Sequence, residues 1–357
     1  MLVYYLIFII PFIVFFILSK DKDNAGKTSI TFFFILWFIL LALRHDSVGG
    51  DLVNYKLMFE RIPDASFKGL FRMNGAYEPG FMLYMKLFTF ITTDFQLFLA
   101  FTGFLSLLPM YKFYRDRIEN PMLTIAILLL VDIFAASFSG LRQSLAMALA
   151  FPLFNYARDK KIKPFILVLL LAYTIHHSSF IMALIYPLSR FRIDKRWLVF
   201  IIPVMAFLMV FKERLFLGVL SVMEQRYMDL YGEISDTGAF MMILLFFMLM
   251  LYSFFLPGDD EELDEETITM RNLLVIVAIL QIFSSISTIA MRMNRYFLLF
   301  TPLLIPKIAA AGYKRSASIT DITVIAMIVV FYSYFLFRAY HGADMLQIFP
   351  YSFFWQN

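Results

Sequence analysis

Apolar runs long enough to cross a bilayer recur through this chain, and no other feature constrains its fold as strongly. A spanning helix needs about 20 mainly apolar residues. Segments of that kind lie at Leu2–Ser19, Ser29–Leu43, Phe95–Phe113, Pro121–Phe138, Leu141–Ala157, Trp197–Phe211, Ala239–Leu256, Asn272–Ala290, Tyr296–Ala311 and Asp321–Phe337. Hydrocarbon satisfies no backbone hydrogen bond, so runs of this length are expected to be helices. The expected fold class is an all-α polytopic integral membrane protein, one domain over residues 1–357, with about ten transmembrane helices. A chain that is 61% hydrophobic and 16% charged has no soluble way to bury its side chains. The absence of cysteine removes disulfide and thiolate chemistry. The net charge of +4 is small and sits in short loops, which gives no reason to expect nucleic acid. No basic residue precedes the first apolar run and no small-x-small site follows it, so it reads as a retained helix.

Lysine and arginine concentrate in the short loops 20–27, 111–117, 158–163, 190–196 and 312–315, which are expected to be cytoplasmic. That expectation constrains two awkward segments. Gly80–Thr92 is too short to cross and carries Lys86, while Phe165–Leu188 is interrupted by His176-His177-Ser178-Ser179. If the basic loops on either side of each share one face, each segment enters and returns as a short re-entrant or broken element. Such backbone survives at that depth only where protein or a water-filled cavity covers it. The alternative is that both cross fully and single loops disobey the charge rule. On the first reading the outer face collects the loops 44–79 and 212–238, and the acidic loop 257–271 is cytoplasmic.

Ionisable groups against apolar helices are functional candidates, and five places carry them. Arg44, His45, Asp46 and Asp51 follow a long apolar run, with Gly49-Gly50 allowing Asp51 to turn back toward the membrane. Glu78 precedes a proline suited to a first helical turn, where it either complements the helix dipole or acts as a base. Arg142 and Gln143 open a helix after Ser-Gly; an arginine there faces an unfavourable dipole and needs an anion, from a headgroup or from a bound diphosphate. His176 and His177 interrupt an apolar run, and either ring suits a general base or a hydrogen-bond orienter. Adjacent histidines point apart on a helix and no further ligand is near, so no metal site and no cofactor are expected. Arg292 and Arg295 are three apart on one helical face, with Tyr296 beside them; they suit either a phosphate grip or interface anchoring. No Walker or nucleotide-binding glycine motif is present, so ATP-driven work is not expected.

"LRHDSVGGDLVNY", "YEPGF", "GLRQSLAMALA", "IHHSS" and "RMNRY", in this order, resemble the EpsG family of Wzy-type polysaccharide polymerases, itself similar to O-antigen polymerases and ligases. The resemblance runs from about Arg44 to Tyr296. It implies a GT-C-like membrane glycosyltransferase of the bacterial plasma membrane, with its active site facing outward. The implied donor and acceptor are oligosaccharide repeat units on undecaprenyl diphosphate, polymerised without metal or nucleotide sugar. Chain-length regulator and flippase proteins are the implied protein partners. On this reading Arg142, Arg292 and Arg295 stabilise the diphosphate, with Gln143 and Tyr296 beside them. Arg44 and Asp51 hold the sugar or a second diphosphate. The base is drawn from His176, Glu78, His177, Asp46 and Asp51, with His176 favoured. The rival readings are an envelope O-acyltransferase, a lipid-sugar flippase or transporter, and a ligase.

Overall fold

The computed structural model describes residues 2–73, 75, 77–131, 133–220, 240–257, 263–313, 317–341 and 346–356. The 212–238 loop beyond Leu220 and residues 258–262 of the acidic loop lie outside them. The chain is all-helical, at 79% helix, with no strand among the described residues. Four helices there are long and apolar enough to cross a membrane: Asn24–Ala42, Phe95–Arg115, Glu265–Ser284 and Thr320–Phe337. Counting two bent pairs as single spans raises this to six: Pro121–Leu130 with Ile133–Ser139, bent by 50°, and Thr288–Leu298 with Thr301–Tyr313, bent by 48°. The ten apolar runs therefore do not translate into ten unbroken spanning helices. Leu2–Ile17 and Phe240–Phe255 have 16 residues each, and Leu141–Arg158 is divided at Leu149.

Side-chain caps start the helices at the polar boundaries. Asp21, Asp94, Asn120 and Asp264 each accept a bond from a backbone N–H three residues on, and such caps contribute about 1 kcal/mol apiece. Two boundaries differ from the sequence expectation. The helix starting at Leu198 continues past Phe211 through Leu220, because Lys212, Glu213 and Arg214 are good helix formers and polarity alone does not stop a helix. "MRMNRY" is helical, as the spacing of Arg292 and Arg295 expects, but it lies inside a helix and not between two spans. The turn falls at Ser285–Ser287, where the Ser287 hydroxyl caps Thr288–Leu298, and Asn294 then packs back on Gln281, its side-chain amide donating a hydrogen bond to the Gln281 Oε1 at 3.0 Å.

Both awkward segments leave and return at one end of the bundle. Thr31 Oγ1 lies 3.1 Å from the Tyr111 hydroxyl at one end, and Gln96 donates to the carbonyls of Ala42 and Arg44 at the other. Residues 44–94 therefore begin and end together, and Pro79–Thr89 does not cross. At 11 residues it spans about 16 Å, roughly half the hydrocarbon thickness. Lys86 is buried inside this fold, donating to the Ile62 and Pro63 carbonyls at 3.1 Å each, where it caps the helix Leu52–Arg61. In the second segment the helix Ile162–Ile175 stops at His176, whose backbone is extended, and a 3₁₀ turn His177–Leu184 comes back. The Phe165 and Tyr186 rings meet at 5.2 Å, and Arg190 donates to the Ala157 carbonyl. The base of this hairpin is held by Asn272, which donates to the Leu188 and Phe191 carbonyls at 2.9 and 2.8 Å.

The loops around 117, 158 and 192 thus share one end. There Glu266 accepts from Arg117 at 2.7 Å and from Arg158 at 3.1 Å, and Glu265 pairs with Arg192 at 3.5 Å. Glu78, Arg142, the His176 break and the start of Thr288–Leu298 lie toward the other. One continuous apolar core runs from Tyr4 to Tyr351 and carries the helices between the two ends.

Candidate functional site

Glu78, His176 and Arg142 come from three separate elements and meet in a buried cluster. Glu78 sits at the N-cap of Pro79–Thr89 but does not cap it with its side chain. Its Oε1 lies 2.9 Å from His176 Nδ1 and accepts the His177 backbone N–H at 3.2 Å, and its Oε2 accepts from Arg142 Nη1. A carboxylate paired with arginine is an acceptor only, so Nδ1 of His176 must be the donor. The imidazole lone pair is then on Nε2, which is buried and has no hydrogen-bond partner among the described residues.

Gly80 makes this meeting possible. A Cβ there would lie 2.4 Å from Thr174 Oγ1 and 2.8 Å from the Thr174 backbone carbon and oxygen. Only glycine lets the short helix press on the end of Ile162–Ile175, two residues before His176.

Arg142 opens the helix Leu141–Ala148, and the anion its position demands is Glu78. Its Nε donates to the Tyr55 hydroxyl at 3.1 Å, and its guanidinium lies 4.3 Å from the Tyr77 ring centroid. Gln143, on the same turn, is buried and bridges to the next element. Its amide donates to the Arg292 carbonyl at 2.6 Å, and its carbonyl accepts from Arg295 at 3.3 Å. Arg295 is buried in that contact. The Arg292 guanidinium differs: it is half-buried, makes no hydrogen bond or ion pair among the described residues, and is within electrostatic reach of His176 and Tyr296. The Tyr296 hydroxyl lies 3.3 Å from Ser178 Oγ.

The remaining candidates divide. Asp51 precedes the helix carrying Tyr55, and its backbone N–H donates to Ser139 Oγ at 3.2 Å. It reaches this place through Gly49, whose φ of +118° and closeness to the Phe138 carbonyl exclude a side chain. Asp46 accepts from Lys56 at 2.7 Å, and that bond holds its carboxyl below the usual carboxylate range, which makes it a poor base. Arg44 is not brought to the cluster. It is fully buried beneath residues 346–356, with Phe353 paired to its backbone, Phe138 5.3 Å from its guanidinium and the Ser137 carbonyl at 3.5 Å. His177 contributes its backbone N–H, while its exposed ring lies tilted against Tyr173, the centroids 4.7 Å apart. Tyr55, Tyr77 and Ser178 carry part of the site although their residue types gave no separate signal. All three lie within the quoted motifs.

No group of three or more potential metal ligands occurs among the described residues. Comparison with curated proteins gives no match, and neither does comparison with solved structures. The EpsG family model matches residues 27–353, a range that holds every residue of this cluster. The chain therefore belongs to the EpsG family.

Proposed function

We propose that the protein is a membrane glycosyltransferase that polymerises undecaprenyl-diphosphate-linked oligosaccharide repeat units at the outer face of the bacterial plasma membrane. Membership of a polysaccharide-polymerase-like family supports the reaction class. The observation that carries the reading is the Glu78–His176 pair with Nε2 left unpartnered. That arrangement suits a general base whose tautomer is held by a carboxylate.

In the proposed step the acceptor hydroxyl gives its proton to Nε2 of His176. The acceptor oxygen bonds to the anomeric carbon of the donor, and the bond from that carbon to the diphosphate oxygen breaks. Undecaprenyl diphosphate leaves with the bonding electrons, and Arg292 stabilises the charge as it forms. Arg142 keeps Glu78 ionised and in place, and Gln143 and Arg295 fix the helix that carries Arg292. Tyr296 and Ser178 offer hydroxyls on the same side. The proposal includes about ten membrane passages in a GT-C-like arrangement, for which Leu2–Ile17, the divided Leu141–Arg158, Leu198–Leu220 and Phe240–Phe255 are the additional candidates. It also places the basic loops in the cytoplasm and the cluster outward, for an exopolysaccharide, capsule or O-antigen pathway. Chain-length regulator and flippase proteins would act beside it.

The test is made in cells. A deletion strain is complemented with wild type, His176→Ala, Glu78→Gln and Arg292→Ala at matched membrane levels, and undecaprenyl-linked glycans are extracted. Single repeat units accumulating on the lipid while long polymer disappears is the expected result. Polymer that persists and lacks only acyl groups would move the assignment to an acyltransferase. Units trapped on the cytoplasmic side would move it to a flippase.

A further inference from the structure

The cluster has two chemically different sides, and the Glu78–His176 pair lies between them. On one side Arg292 presents an uncommitted cation next to Tyr296 and Ser178. On the other, the only guanidinium in contact with Tyr55 and Tyr77 among the described residues is that of Arg142, and Glu78 already neutralises it. That second side also holds Asp51. Its carboxylate does not cap the helix it precedes, is half-buried, and makes no hydrogen bond or ion pair among the described residues. Asp51 stands one helical turn before Tyr55, whose N–H bonds the Asp51 carbonyl at 3.2 Å, so both occupy one helix face. The Tyr55 and Tyr77 rings are 5.1 Å apart, and Tyr77 continues to Phe81 at 5.9 Å.

A free carboxylate beside aromatic rings is poor at holding a diphosphate, because like charges repel at short range. The same groups suit a neutral sugar: the carboxylate accepts two hydroxyl donors, and the half-buried Tyr77 ring, backed by the buried Tyr55, can cover the apolar side of a pyranose. We propose that Asp51, with Tyr55 and Tyr77, forms the subsite for the terminal sugar of the acceptor, and that it selects for hydroxyl donors and against phosphate. This inference rests on the glycosyltransferase reading and assigns the Asp51 side to sugar alone. The acceptor diphosphate then lies away from this side, and the donor diphosphate lies with Arg292.

The test uses the full chain in proteoliposomes. The donor is undecaprenyl diphosphate carrying the host's own repeat unit, and the acceptor is that repeat unit as an alkyl glycoside without phosphate. Wild type, Asp51→Asn and Asp51→Ala are compared in KM for the glycoside and in Kd for undecaprenyl diphosphate. Losing hydrogen bonds to a charged group is expected to raise the glycoside KM of Asp51→Ala by about tenfold or more, with Asp51→Asn in between. The Kd for undecaprenyl diphosphate should stay within about twofold of wild type, which also shows that the variants are folded. An unchanged glycoside KM overturns the subsite. So does tighter undecaprenyl diphosphate binding in Asp51→Asn, because relief of repulsion would place Asp51 beside the diphosphate. If wild type transfers nothing to the glycoside and makes no polymer from the lipid-linked unit, the glycosyltransferase reading itself falls, and this subsite with it.

Discussion

His176 Nδ1 stands 2.9 Å from Glu78 Oε1, across 98 residues of chain. Considered separately, the two side chains are rival candidates for one role. In the fold they form one device, with the carboxylate orienting the ring and the ring presenting Nε2. Glu78 can do this because its second oxygen is taken by Arg142, so the carboxylate is held from two sides.

Glu78→Gln keeps the size and removes the charge. A glutamine amide can offer Nδ1 a donor and stabilise the wrong tautomer. Polymer formation is expected to fall by roughly a hundredfold to ten-thousandfold, as it should for His176→Ala. The double variant should be no worse than either single one, because the two residues act as a unit. Gel analysis of polymer made by matched membranes checks this, and additive losses would separate the roles.

Gly80→Ala brings a methyl group against the Thr174 backbone, not only its side chain. The short helix must retreat, and Glu78 retreats with it. The expected cost is about 1–3 kcal/mol of stability together with loss of polymerisation. Thermal unfolding in detergent and polymer assays are the measurements, and full activity in this variant would show that the contact does not position Glu78.

Arg292 and Arg295 are expected to separate. Arg295→Ala leaves the buried Gln143 carbonyl without its donor and should lower stability by about 1–3 kcal/mol. Arg292→Ala removes no hydrogen bond or ion pair among the described residues and should leave Tm nearly unchanged while weakening undecaprenyl diphosphate binding. Thermal unfolding and a lipid-diphosphate binding titration on the same preparations distinguish the two.

The chain has no cysteine, so single cysteines report topology without background. Ser47 and Asp116 are both exposed and lie at opposite ends of the bundle. Ser47→Cys should react with an impermeant maleimide in intact cells, and Asp116→Cys only after permeabilisation. The reverse pattern would place the cluster in the cytoplasm.

Much of the fold was legible from hydropathy and loop charge. The demand that basic loops share one side required Gly80–Thr92 and Phe165–Leu188 to turn back, and the Gln96, Arg190 and Phe165–Tyr186 contacts show both segments returning to the end they left. Helix ends were less legible. The boundary near Ala290 moved to Ser285–Ser287 because a serine cap, not the loss of hydrophobicity, ends that span. A span also bends between Leu298 and Thr301, where Pro302 has no N–H to donate to the Leu298 carbonyl, and the bend leaves little mark in mean hydropathy.

By itself the sequence determined that the chain is a bundle of membrane helices, that its basic loops gather at one end, and which polar residues stand against apolar surroundings. Those properties depend on residues within a turn or a loop of each other and on the lipid as solvent. Only the tertiary structure decided that Glu78 serves His176, that Arg142 is neutralised while Arg292 has no ion-pair partner among the described residues, and that Arg44 is buried under the C-terminal segment. Each of these depends on which helices touch. Close approaches such as Gly80 on Thr174 decide that, at contacts between residues far apart in the chain.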